Sequence, residues 1–439
     1  MGNLDSDDPG VFSKGLLRFM KHYRDITTCR LCGKESLSQV LDFGEQYLSS
    51  QFVKDNPTHS LSGLKVPLTA VLCQHCGLLQ LGNTVDRELM YRDYYYRSGT
   101  TDLMKQELQK IVNDILSRTQ IHPGDYGLDI GCNDGTMLSY FPSVLSRVGI
   151  DPAENIQRGG LDPSIQIVTD FFSARKVLKI SKGSLFKIVS SIAMFYGLDD
   201  PNTITSEIKS ILAPEGLWCL QVTYLPLLIK NMNFYDICHE HLLYFSLETL
   251  EFLMKQNGLK IFDISINETN GGSLRLFVGH QEDQRPVASS VHQLMEEERK
   301  LPLHETQYYQ KFFEKILHLK RQVMTSLLQD KEGGGLIIGL GASTKGNVLL
   351  QFFGIDKKIL PYLSDRNPEK VSLKTLGTDI EIISEERARE LKPSCMLVLI
   401  WPFKEEVIQR EQSYLKSGGK LLFPMPYCHV VTRDGEYRL

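Results

Sequence analysis

The chain has 439 residues, of which 42% are hydrophobic and 23% charged, and carries a net charge of −4. That length allows two or three domains, and the near-neutral, slightly acidic balance excludes the basic excess expected of a nucleic-acid binder. No apolar run approaches the roughly 18 residues of a membrane span, no secretory signal is visible, and an odd count of nine cysteines favours a reducing, cytoplasmic setting.

Residues 1–25 read as a polar, flexible lead-in. Its start, Met1-Gly2-Asn3-Leu4-Asp5-Ser6, loosely fits an N-myristoylation pattern, although acidic residues follow at once. Residues 26–90 carry two matching pairs, Cys29-Arg-Leu-Cys32 and Cys73-Gln-His-Cys76, each followed by Gly (Gly33, Gly77) and separated by a loop of 40 residues. Thiolates two residues apart in a tight turn grip one ion, so Cys29, Cys32, Cys73 and Cys76 are expected to hold a structural Zn²⁺ in a closed four-sulfur site. The competing readings are four unrelated thiols or two disulfides, which a reducing compartment disfavours.

Residues 91–278 open with Tyr91-Arg-Asp-Tyr-Tyr-Tyr96-Arg-Ser-Gly-Thr-Thr101, dense in phenols and turn formers. It is either a packed interdomain loop or a pocket wall, since Tyr offers an apolar face and a polar tip. Strands and helices then alternate. A strand at 127–130 is followed by a Gly-rich loop and a helix over 136–145; further strands fall at 148–150, 165–168, 186–192 and 217–222, the last after the turn Ala213-Pro-Glu-Gly216. Such alternation predicts a parallel, doubly wound sheet.

Residues 279–439 contain a helix over 304–330, with Phe312, Ile316, Leu319, Val323 and Leu327 at spacings of three and four. A second α/β pattern follows: a strand at 336–340, the loop Gly341-Ala-Ser343-Thr344-Lys345-Gly346, a helix over 347–353, and strands at 359–363, 396–400 and 420–423.

Two stretches carry chemistry. Asp129-Ile-Gly131-Cys-Asn133-Asp-Gly135 ends one strand and opens a helix, where glycines let a ligand touch the backbone; its spacing is not the phosphate-binding GxGxxG. It resembles motif I of class I S-adenosylmethionine (SAM) methyltransferases. That resemblance implies that Asp129, Gly131, Asn133 and Gly135 hold the methionine end of SAM. It further implies that Asp151, closing the second strand, bonds the ribose, that Asp170, closing the third, faces the adenine amine, and that Phe171 stacks on the ring. The second stretch is Tyr235-Asp-Ile-Cys238-His239-Glu240-His241-Leu242. Read as extended, it projects His239 and His241 to one face and Glu240 to the other. An imidazole can take a proton from a weakly acidic C–H or O–H; a second metal site or surface histidines are the alternatives.

From residue 28 to about 430 the chain resembles one family, the sugar C-methyltransferases that act on nucleotide-linked 4-keto-deoxysugars. The resemblance rests on the CxxC module with Leu41-Asp-Phe-Gly44, the Tyr-rich RSGTT segment, the SAM core, Met194-Phe-Tyr196 and His239-Glu-His241-Leu-Leu-Tyr244-Phe-Ser246. Asn270-Gly-Gly-Ser-Leu-Arg275, the 341–346 loop, Asp365-Arg-Asn-Pro368, Trp401-Pro402 and Pro424-Met-Pro426 extend it. It implies a zinc-binding module, a class I Rossmann-like SAM domain and a second, C-terminal Rossmann-like α/β domain. It also implies a reaction: a base removes the hydrogen next to the ketone, and the enolate carbon takes the methyl group from SAM. By motif match His241 is the expected base, Glu240 and His239 assist, and Tyr96 reaches the sugar or enolate oxygen. Departures exist: Cys238 stands where antibiotic-sugar members carry Tyr, and Tyr196 near where they carry His.

Tyr196, Asn270, Ser343, Thr344, Lys345 and Arg366 are the candidate substrate contacts. The 341–346 loop, between a strand and a helix start, suits a diphosphate, a separate dinucleotide, or solvent alone; Asn270-Gly-Gly-Ser273 is a pocket wall or a tight turn. O- or N-methylation of a sugar or other small metabolite is the alternative activity. The expected partner is a nucleotide-sugar substrate, with neither nucleic acid nor membrane.

Overall fold

A computed structural model describes residues 22–54 and 64–439. The myristoylation pattern and most of the lead-in fall outside the described residues. The end of that lead-in is not loose, however. Tyr23–Asp25 forms a strand antiparallel to Asn83–Val85, because Tyr23 packs against a small core of Leu48, Val66, Val85 and Met90.

The central sheet has seven strands. Its middle strand is Tyr126–Ile130, flanked on one side by Ser146–Ile150 and then Gln166–Val168, and on the other by Phe186–Ile192 and then Leu212–Thr223, all parallel. Leu128, Ile130, Val148, Ile150, Ile188 and Val189 are all essentially inaccessible, as expected for parallel strands covered on both faces. Two further strands, Ser273–His280 and Leu259–Asn267, complete the far edge antiparallel. The strand order reverses beside Tyr126–Ile130, so its C-terminal end is the topological switch point where ligands bind in open α/β sheets.

Several sequence expectations shift. The helix expected over 136–145 spans only Thr136–Tyr140, because Pro142 forces Phe141 out of helical geometry. The turn at 213–216 lies inside a continuous strand as an irregularity: Phe186 pairs with Leu212 and Ile188 already with Leu217. The strand expected at 359–363 begins only at Tyr362, since Pro361 has no N–H to donate. The antiparallel pair at 259–280 and the helix Asp102–Leu116, capped by the Thr101 hydroxyl, went unread.

The C-terminal sheet has nine strands, with Ile337–Leu340 at its parallel centre between Cys395–Val398 and Tyr362–Asp365. The 27-residue helix Thr306–Glu332 buries Tyr309, Phe312, Ile316, Leu319, Val323 and Leu327, the stripe its periodicity predicts.

The three segments exchange strands. Leu243–Tyr244, from the central segment, completes the four-stranded sheet of the N-terminal module. Phe52–Val53, from that module, forms the edge of the C-terminal sheet. The module is also clamped to the helix Thr344–Phe353. The Tyr47 backbone N–H donates to Gln351 Oε1 at 2.8 Å, the Gln351 amide donates to Tyr47 O at 3.1 Å, and the Asn347 amide donates to Ser49 O at 2.7 Å.

Candidate active site and metal centre

The four cysteines of the two pairs converge, their sulfurs all within 4.8 Å of one another. Cys29 and Cys76 Sγ are 3.6 Å apart, as are Cys32 and Cys73. A tetrahedral ion with bonds of about 2.3 Å needs sulfurs about 3.8 Å apart, so the cluster fits Zn²⁺. No sulfur pair is at bonding distance, and all nine cysteines are free. The residues between and behind the pairs serve the site too: the Gln80 amide donates to Cys29 Sγ at 3.1 Å.

A cavity of about 840 Å³ opens at the switch point and is walled by all three segments. Asp129 lies at its floor, buried, accepting from Ser190 Oγ at 2.7 Å; burial pushes its carboxyl up to about 7 despite that hydrogen bond. Gly131 turns the chain with φ +76°, and a Cβ there would stand 2.9 Å from Met194, so only glycine leaves the loop this close to the cavity. Asn133, also at positive φ, ties the loop to the Tyr-rich segment: its amide donates to Tyr96 O at 3.1 Å, and its Oδ1 accepts from the Ser98 N–H at 3.0 Å.

Asp151 closes the second strand and lines the cavity. Its carboxylate accepts from the Asn133 and Ala153 backbone N–H groups at 3.0 and 2.9 Å and lies 3.5 Å from Arg158. A carboxylate offers about four lone-pair sites, so it retains capacity for a diol. Floor, backbone cradle and strand-end acid fit SAM. Phe171 lines the same cavity, with the guanidinium groups of Arg87 and Arg92 over its ring at 4.3 and 4.8 Å. Asp170 is set apart from the cavity-lining residues: its carboxylate pairs with Lys176 at 2.6 Å and Arg92 at 3.6 Å.

At the other end of the cavity, residues 238–241 form a turn, with the His241 N–H donating to Cys238 O at 2.9 Å. The expected extended geometry is therefore replaced, and the two imidazoles part company. His239 Nε2 meets Val66 O at 3.1 Å, inside the N-terminal module; burial there holds it down at about 4, so it stays neutral. His241 Nδ1 meets the Asp236 backbone O at 2.9 Å and Asp236 Oδ1 at 3.4 Å. Burial opposes its charge, but the Cys238 sulfur and the Asp236 carboxylate outweigh burial and push it up to about 10. A carbonyl only accepts, so Nδ1 carries hydrogen and the free lone pair of the neutral ring lies on Nε2. The Tyr196 ring packs on the imidazole, centroids 4.1 Å apart.

Glu240 is buried, and burial raises its carboxyl. The Tyr94 hydroxyl donates to Glu240 Oε2 at 3.2 Å and the Tyr91 hydroxyl to its backbone O at 2.9 Å. Tyr96, expected to reach a sugar or enolate oxygen, lines the same cavity and is half exposed.

The C-terminal segment closes the cavity with Ser343, Thr344, Lys345 and Arg366, and Asn270 sits on its wall in a turn at φ 57°. Ser343 caps the helix Thr344–Phe353, accepting from the Gly346 N–H at 2.9 Å, and Arg366 pairs with Glu406 at 2.7 Å. Lys345 does not point to open solvent: its ammonium pairs with Asp236. Asp236, fully buried between His241 and Lys345, is the residue sequence reasoning passed over. Its only signal was its place in the stretch 235–242.

The comparisons with known proteins follow the same three segments. Residues 29–91 match a family described as "Putative zinc binding domain", residues 101–264 a methyltransferase domain and residues 268–426 a C-methyltransferase C-terminal domain. The chain is 28% identical over 413 residues to the C-methyltransferase NovU of Streptomyces niveus, covering 94% of this chain and 98% of that protein.

Among solved structures, the plantazolicin methyltransferase BpumL with SAH is 13% identical, at a TM-score of 0.32 over 39% of this chain and 82% of that one. Magnesium protoporphyrin IX methyltransferase from Synechocystis PCC 6803 with SAH is 12% identical, at a TM-score of 0.32 over 42% and 90%. The sheet order, the strand-end acids and the sequence matches over all three segments together make this chain a SAM-dependent methyltransferase of the class I fold, built behind a zinc-binding module.

Proposed function

We propose that the chain methylates carbon on a nucleotide-linked 4-keto-deoxysugar. The observation that carries this reading is His241, a cavity-lining imidazole whose Nδ1 is committed to Asp236 and whose Nε2 is left for a proton. A ketone acidifies the hydrogen on the neighbouring carbon. In its neutral form His241 Nε2 takes that hydrogen, leaving an enolate. When bound, SAM supplies the methyl group that the enolate carbon accepts. Tyr94, kept neutral by burial and bonded to Glu240, is the phenol that would hold a sugar oxygen by turning its one hydrogen from Glu240 to it; a neutral phenol suits a developing oxyanion. Glu240 anchors Tyr94 and lies on the path of a sugar hydroxyl. Asp129, the 131–135 loop and Asp151 bind SAM on the opposite wall. Ser343, Thr344 and Arg366 face the nucleotide end. The identity to a C-methyltransferase over nearly the whole chain supports carbon as the acceptor.

The test is hydrogen exchange in heavy water with an NDP-4-keto-6-deoxyhexose and no SAM. Deuterium entering the carbon beside the ketone with the wild type, and not with His241→Ala, is the expected result. No exchange with either protein, even with a SAM analogue that cannot donate its methyl, would overturn carbon methylation and favour an oxygen or nitrogen acceptor.

A further inference from the structure

The mechanism leaves one buried group unused. Asp236 has no accessible side-chain surface, yet it faces two cationic groups at once: His241 Nδ1 at 3.4 Å from Oδ1, and the Lys345 ammonium, which pairs with the same oxygen. The two partners come from different domains. Asp236 and His241 belong to the central segment, whereas Lys345 lies in the first turn of the helix Thr344–Phe353 of the C-terminal domain. An isolated carboxylate in a dry site would hold His241 as imidazolium, a form with no lone pair to accept a proton. A second cation on that carboxylate divides its pull.

We propose that Lys345 is a positioning residue for the base: by pairing with Asp236 across the domain boundary, it weakens the carboxylate's hold on the His241 proton and so eases the release that presents Nε2 to the substrate. The other groups around the imidazole do not substitute for it. Tyr196 packs on the ring as a neutral phenol; Cys238, in the same turn, and Asp236 both favour the charged ring. Glu240, with Tyr94 and Tyr91 bonded to it, adds another carboxylate nearby. Lys345 is therefore the cationic counterweight in the cluster. This gives the C-terminal domain a part in the chemistry besides holding the nucleotide. Only with that domain docked does Lys345 share the pull of the Asp236 carboxylate on the ring.

The inference rests on the reading of His241 as the base, but its test does not need substrate. The titration of His241 is followed by NMR on the free, histidine-labelled enzyme. Lys345→Gln is expected to move it upward by about one pH unit or more, and Lys345→Arg to bring it back toward the wild-type value. Asp236→Asn is expected to move it in the opposite direction. Unfolding cannot imitate opposite shifts, because both variants would then converge on the free-histidine value. An unchanged His241 titration in Lys345→Gln, or shifts of the same sign in the Lys345 and Asp236 variants, would overturn the proposal. Should the exchange experiment fail while these shifts appear, the ion-pair relay stands and only the identity of the reaction falls.

Discussion

Arg30, the residue after the first zinc-binding cysteine, reaches across the module boundary to Asp199, Nε to Oδ1 at 3.1 Å. Its side chain is almost wholly buried. The remaining nitrogens donate to Gln80 Oε1, Leu81 O, Asn83 O and Thr84 Oγ1. The zinc knuckle is therefore wired to the loop after Tyr196 in the SAM domain. Arg30→Ala strips several buried acceptors of their donor and leaves Asp199 without its inner partner. Leaving buried acceptors without their donor costs about 1–3 kcal/mol, and we expect a loss of that size in denaturant unfolding, with SAM affinity preserved in the protein that remains folded.

Zinc removal is expected to act through structure. The four sulfurs leave no open position for substrate, and the sheet they anchor pairs directly with Leu243–Tyr244, which begins two residues past His241. Chelation, or Cys73→Ser, should lower zinc content and thermal stability together, with turnover falling only as the folded fraction falls. A metal-free protein with unchanged melting and full turnover would contradict a structural role.

The two histidines are expected to separate cleanly. His241→Ala should reduce methylation by about 10² to 10⁴-fold, the usual worth of a general base, counted per folded molecule. His239→Ala removes a buried partner of Val66 O, which costs about 1–3 kcal/mol, and should lower the melting temperature while reducing turnover far less. Equal kinetic losses from both would mean that the turn at 238–241 works as one unit.

The pH dependence follows from His241. Its folded value near 10 lies above the roughly 6.5 of an unfolded chain. The stability it contributes is therefore fully present below about pH 6.5 and is lost as pH rises through 10. The base form moves the other way: kcat/KM, which reports the free enzyme, should climb about tenfold per pH unit across neutrality. Rate rising while the melting temperature falls over that window is the expected signature. A flat kcat/KM from pH 6 to 8 would contradict His241 as the base.

Asp151→Ala should weaken SAM binding by roughly 10- to 100-fold, the value of losing hydrogen bonds to a charged group, measured by calorimetry. Part of that loss is indirect, since the Asn133 N–H loses its acceptor and the loop loses its anchor. Unchanged affinity would move the ribose elsewhere in the cavity.

Local physics made much of this protein legible in one dimension. The CxxC spacing brings each pair of thiols together within a single turn, so the zinc cluster needed only the two hooks to meet. Acids at strand ends and glycines in the following loop marked Asp129, Gly131 and Asp151, which line the cavity, because strand period and loop chemistry are properties of neighbouring residues. The helix Thr306–Glu332 declared its buried stripe for the same reason.

What the tertiary structure decided are contacts between residues far apart in the chain. Tyr94 meets Glu240, 146 positions away; His239 turns toward Val66, 173 positions away; Lys345 pairs with Asp236 across the domain boundary. Side-chain direction at a turn is set by what packs against it. A buried charge takes whichever partner the assembled domains offer, and no local pattern encodes either choice.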